Sequence, residues 1–186
     1  IESNTYWLTD TPEENSVMPG TDWPRVYTYA ILEEKATGQR YMHLNVHLDT
    51  ASSSIRTAEV NLLLEFLQDY NDLPVILTGD LNASADSTEM QTLFANCFSD
   101  PRQTLGMQNS TVTMYPGSVI DYLLYTGDCI TPTYYHVEGE RIYGDYPSDH
   151  NAVYVEFTVA SDAPIDHGWS EIQTAYPDDW LDGEKD

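Results

Sequence analysis

Hydrophobic and polar positions along the chain fall into short blocks of different period. Val26 to Glu33 and Arg40 to Leu48 are rich in Tyr, Val, Ile and Leu, and the compact Lys35-Ala-Thr-Gly38 segment between them predicts a β-hairpin. In the second strand the two-residue period puts Met42, Leu44, Val46 and Leu48 on one face and Tyr41, His43, Asn45, His47 and Asp49 on the other. The first set packs, while the second carries functional-type groups towards the strand's end. The period then lengthens. Ser52, Ser53 and Ser54 offer an N-cap, and Ile55, Ala58, Leu62, Leu63, Phe66, Leu67 and Tyr70 recur at helical spacing, predicting a helix to Asn71 packed on the sheet.

Val75 to Leu77 is a continuous apolar run, predicting a strand buried on both faces, and it ends in Gly79, Asp80 and Asn82. Asp86-Ser-Thr-Glu89 starts a short helix from Thr88 to about Ala95. Ser118 to Tyr125 and Thr133 to Val137 predict further strands, Tyr146-Pro-Ser-Asp-His150 a turn, and Ala152 to Val159 a closing strand. Residues 1–24 and 98–118 show no period and are expected to be irregular, and residues 138–146 carry no readable pattern. Residues 1–160 form the domain, and residues 161–186 are expected as an acidic tail or linker. Strands outnumber helices, so the fold class is α+β: one mostly antiparallel sheet faced by helices.

Charge narrows the ligands. The 186 residues hold 31 Asp plus Glu against 7 Lys plus Arg, a formal net charge of −24. Such a surface repels polyanions, which disfavours duplex nucleic acid as a partner unless metal ions or a local basic patch intervene. Two cysteines, Cys97 and Cys129, allow at most one disulfide and are too far apart for a zinc knuckle. No apolar run approaches the ~20 residues of a membrane span. The acidic, cation-poor composition suits a secreted or extracytoplasmic protein without fixing the compartment.

Polar groups collect at four strand ends: Asn45 and His47, Asp80 and Asn82, Asp121, and Asp149 and His150. Asp80 and Asn82 alternate along an extended backbone and so share a face. Asp121 is the single charge in an apolar run and needs a partner, since an unpaired buried carboxylate is costly. Arg56 stands in the first turn of its helix, against the dipole, which implies an anion close by. An Asp–Asn turn alone is an ordinary way to leave a strand, so no one of these places carries a functional inference.

Together and in this order, Asn45-Val-His-Leu-Asp49, Thr78-Gly-Asp-Leu-Asn82, Ile120-Asp-Tyr-Leu-Leu124 and Ser148-Asp-His150 resemble the endonuclease/exonuclease/phosphatase family. Its pancreatic-deoxyribonuclease-like (DNase I-like) fold is shared by exonuclease III, sphingomyelinases and inositol-polyphosphate 5-phosphatases. The resemblance implies that this chain is half of a four-layer α/β/β/α sandwich. It also implies a metal-dependent phosphoesterase in which water attacks phosphorus directly. Asp80 would be the general base, Asn82 would hold the water and a phosphoryl oxygen, and His150 would stabilise phosphate charge with its ring fixed by Asp121. His47 would contact the phosphate from the other side, Asn45 and Arg56 would assist in binding, and Asp149 would ligate Mg²⁺ or Mn²⁺.

Tyr6-Trp-Leu-Thr-Asp-Thr-Pro-Glu13 is similar to a segment from the middle of the domain in bacterial members. About 100 residues of a usual domain, with the family's metal-binding Glu, are then absent, and the chain is expected to need that half from the same or another molecule. The substrate expected from the charge is a small or lipid-borne phosphate ester. The alternatives are a nuclease of the same fold, a catalytically incomplete binding module, and a carbohydrate-active enzyme built on Asp80 and Asp149. The last explains neither the two His nor the Asn at matching strand ends.

Overall fold

The hairpin expected at residues 26–48 forms the middle of a six-stranded sheet in the computed structural model, which describes residues 1–107, 109–113, 115, 117–127, 129–160 and 165–169. Its strands are β1 (Glu2–Trp7), β2 (Val26–Glu33), β3 (Arg40–Val46), β4 (Val75–Asp80), β5 (Phe98–Ser99) and β6 (Asp121–Thr126). They lie in the order β1-β2-β3-β4-β6-β5. Only the β3–β4 pair is parallel, as expected for two strands linked by a crossover helix. A second, two-stranded sheet pairs β7 (Ile130–Glu138) with β8 (Ala152–Val159).

The alternation read from the sequence sets the core. Register places Tyr27 opposite Val46 and Tyr29 opposite Leu44, so these buried side chains share a face with Met42 and Leu77. Helix α1 (Ser53–Leu67) packs on that face through Val60, Leu63, Leu64 and Leu67, and α2 (Thr88–Ala95) adds Met90 and Leu93. Ser52 caps α1 by accepting the Ile55 N–H at 3.2 Å. The other face of the sheet is covered only in part: Ile76 packs with the buried Tyr125 against Phe157 and Val159 of the second sheet, while Ala30, Tyr41, Thr78 and Leu123 remain partly exposed. The β4 strand, expected to be buried on both faces, is fully buried on one and partly covered on the other, through Ile76.

Three expectations need correction. Residues 1–24 are not wholly irregular, because β1 pairs with β2 along its length. As an edge strand it has four exposed polar residues at its start, so it carries no apolar alternation to read. The 98–118 connection contains β5 and a short helix, α3 (Pro101–Leu105), capped by Asp100 and ended by Gly106 at φ 70°. Within 161–186, residues 165–169 pack on the core: Trp169 is fully buried, stacks on Phe98, and donates its indole N–H to the Asn96 carbonyl at 3.1 Å. The remainder of that expected tail lies outside the described residues.

Candidate active site at the strand ends

The site begins with a glycine. Gly79 has φ 149°, and a Cβ there would stand 1.7 Å from the Val46 carbonyl oxygen. Only the missing side chain lets β4 lie this close to the end of β3. Two backbone bonds then lock the strand ends together: Leu48 N–H donates to the Asp80 carbonyl (3.0 Å) and Leu81 N–H to the Ile120 carbonyl (2.8 Å).

Antiparallel pairing of β4 with β6 sets Asp80 directly opposite Asp121. Two carboxylates so placed repel unless something positive lies between them. His150 supplies it. Its Nδ1–H donates to both Asp121 oxygens, at 2.8 and 3.0 Å, and its Nε2 faces Asp80 Oδ2 at 3.9 Å. The hydrogen bond to Asp121 raises the His150 pKa against the opposing effect of desolvation, with the charges of Asp121, Asp80 and Asp149 adding to it. His47 approaches Asp80 Oδ2 from the other side, Nε2 at 3.5 Å, and is half exposed.

Asn82 takes a left-handed backbone conformation, φ 48°. Its N–H donates to Asp80 Oδ1 at 2.9 Å, and its side-chain NH₂ donates to the Leu48 carbonyl at 2.8 Å. Asp80 is thus oriented by the residue two positions on. Asn45 lies on the open face of β3 and donates to Thr78 Oγ1 at 2.8 Å, while His43 Nε2 lies 2.9 Å from the same hydroxyl. Burial lowers the His43 pKa.

Sequence reading overlooked Thr78 and Thr111 as positioning residues. Thr111 is fully buried, and its Oγ1 accepts the N–H groups of Ile120 and Asp121. Its carbonyl accepts the Asn151 N–H, tying the start of β6 to the segment that bears His150. A threonine in a polar connection gives no signal of such a role.

The structure thus gathers His47, Asp80, Asn82, Asp121 and His150, with Asn45 on the adjoining face. It does not bring Arg56 into that group. The Arg56 guanidinium donates to buried Glu89 at 2.6 Å and to the Asp49 carbonyl at 3.2 Å, so the anion implied by its place in α1 is a side chain of this chain. Asp149 is exposed, with Ser148 Oγ 3.4 Å from its carboxylate, and its backbone carbonyl accepts the Thr113 N–H. The tight cluster, with donor atoms all within 4.8 Å, is Asp80, Asp121 and His150 without Asp149.

The sequence profile described as the Endonuclease/Exonuclease/phosphatase family matches residues 11–150. The chain belongs to that family. Its members hydrolyse phosphate esters, generally with a divalent metal ion. Comparison with curated proteins returned no match. A conserved protein of unknown function from Enterococcus faecalis superimposes with a TM-score of 0.75 at 24% identity, over 86% of this chain and 66% of the other. A family member from Bacteroides thetaiotaomicron gives 0.76 at 22% identity, over 86% and 63%. A mannosyl-6-phosphatase from the same species gives 0.73 at 23% identity, over 85% and 66%. The chain spans just under two thirds of the length of these proteins.

The donor chemistry fits a hard cation. Carboxylate oxygens are the donors that Mg²⁺ or Mn²⁺ prefer, and among the described residues the group whose donor atoms converge is Asp80, Asp121 and His150.

Proposed function

We propose that the protein is a metal-dependent phosphoesterase acting on a small phosphate ester by direct attack of water. The observation that carries this reading is the Asp121–His150–Asp80 line, with His47 on the far side of Asp80. Asp80 takes a proton from the attacking water, and Asn82 keeps its carboxylate aimed by donating to Oδ1. His150, whose charged form the Asp121 carboxylate favours, donates to a phosphoryl oxygen as negative charge builds there, and His47 contacts the same group from the opposite side. Asp149 would be a ligand of the divalent ion, which would supply positive charge to the phosphoryl oxygens.

The acidity argues against a nuclease reading and for a compact ester, whether soluble or at a lipid surface. A similar solved protein named a mannosyl-6-phosphatase supports a phosphomonoester on a sugar. The open face of the sheet, with Ile76 and Leu123 partly exposed, would be covered by the segment that completes the domain in the relatives, from the same or another chain. The test is phosphate release from p-nitrophenyl phosphate and its bis-ester by the protein with that segment present, in Mg²⁺, in Mn²⁺ and in chelator. Release that stops with chelator and returns with metal is expected. Release indifferent to chelator would overturn the metal requirement, and no release from any ester would make the protein a binding module.

A further inference from the structure

One cavity among the described residues lies away from the strand ends. It measures about 590 Å³ and lies between α1 and the β1–β2 edge of the sheet. Its walls are the rings of Tyr6, Tyr27, Phe66 and Tyr70. These rings contact one another at centroid distances of 5.1–6.2 Å and are inclined by 45–57°; Tyr27 is buried, while Tyr6, which also stacks on Tyr29, Phe66 and Tyr70 are partly exposed and bring aromatic surface to the cavity. The Tyr70 hydroxyl is held where it lies 3.2 Å from the Glu2 carboxylate and 3.3 Å from the Tyr29 hydroxyl. The rim adds four carboxylates, Asp10, Glu13, Glu65 and Asp69, and no Lys, Arg or His lines the cavity.

We propose that this cavity is a binding site for a small organic cation carrying an alkylated ammonium group. A ring face attracts a cation through its quadrupole, most strongly for a weakly hydrated ammonium that gives up water easily. The carboxylate rim raises the local concentration of any cation, and the aromatic wall selects one with apolar bulk around its charge. The volume is in the range of small-molecule sites. Nor is it part of the catalytic centre: Tyr27 shares its face with Val46, its cross-strand partner, whereas Asn45 points to the opposite face. The inference therefore stands apart from the phosphoesterase reading.

Choline, titrated into the full chain at constant ionic strength and followed by NMR, tests the site. Its uncharged analogue 3,3-dimethyl-1-butanol, with carbon in place of nitrogen, is the control. Saturable shifts centred on Tyr6, Phe66 and Tyr70 are expected, with the neutral analogue about tenfold weaker. Tyr6→Leu, which keeps apolar bulk, should weaken choline about fivefold by removing one ring. The double variant Glu65→Gln with Asp69→Asn tests the rim without touching the core, and should weaken choline and flatten its salt dependence. Equal binding of the neutral analogue would overturn the proposal. So would shifts spread over the acidic surface without saturation, or affinity indifferent to both variants.

Discussion

Glu59 lies in the middle of α1 and is completely buried, though no apolar pattern would place a carboxylate there. One oxygen, Oε2, accepts the Asp49 N–H at 2.8 Å, and Oε1 has no hydrogen-bond partner. Burial raises its pKa from the usual 4.5 to about 7, against the Asp49 hydrogen bond, with the Asp49 carboxylate also raising it and Arg25 and Arg56 lowering it. Because the folded pKa lies above the unfolded one, the folded protein keeps a proton between these values that the unfolded chain releases. Stability from this group is full below pH 4.5 and is lost as pH rises to about 7. The loss is about 3 kcal/mol, at ~1.4 kcal/mol per pH unit between the two pKa values. Glu59→Gln cannot titrate, so the stability difference between variant and wild type should move in the variant's favour by about 3 kcal/mol from pH 4.5 to pH 8. Urea unfolding of both proteins at several pH values measures it, and the large background titration of the acidic surface cancels in the difference. A difference that does not change with pH would refute a buried, proton-holding Glu59. The residue matters to the site because it holds Asp49, next to Leu48, whose backbone binds both Asp80 and Asn82.

Two further predictions concern the strand ends. Asp121→Asn leaves one acceptor oxygen for the His150 Nδ1–H but removes the carboxylate charge that strengthens that bond, so the His150 pKa should fall, as followed by imidazole NMR titration in chelator; an unchanged value would break the assigned pairing. Gly79→Ala puts a methyl group into the Val46 carbonyl and should cost on the order of 3 kcal/mol by denaturation, with loss of activity because β3 and β4 must separate beside Asp80. Wild-type stability in that variant would mean the strand ends are looser than the contact implies.

The parts of this fold that were legible in the sequence have strong periods. The 26–48 hairpin, the helix after Ser52 and the closing strand at 152–159 each alternate or recur cleanly, and each lies where its pattern put it. The strand-end cluster was legible because the residue types and order matched a family, and Asp121 was marked by being charged within an apolar run. What was not legible depends on tertiary partners. Strand β1 is polar because it is an edge, and Trp169 lies in an acidic stretch without period. Arg56 presented an accurate local signal, an unsatisfied cation needing an anion, but whether that anion is a substrate or Glu89 is decided by how α2 packs on α1. Thr111 works through its hydroxyl and backbone, which no residue-type pattern reports.

The most direct measurement is the rate of phosphate ester hydrolysis by Asp80→Asn beside wild type in Mg²⁺, with far-UV circular dichroism as a check on folding. Asp80 is opposite Asp121, between two histidines, and oriented by the Asn82 N–H, so the amide should leave the fold intact. Loss of the general base should lower kcat by about 10²-fold or more. Hydrolysis at the wild-type rate by a folded Asp80→Asn protein would contradict the role given to this carboxylate, and with it the assignment of the strand ends as the active site.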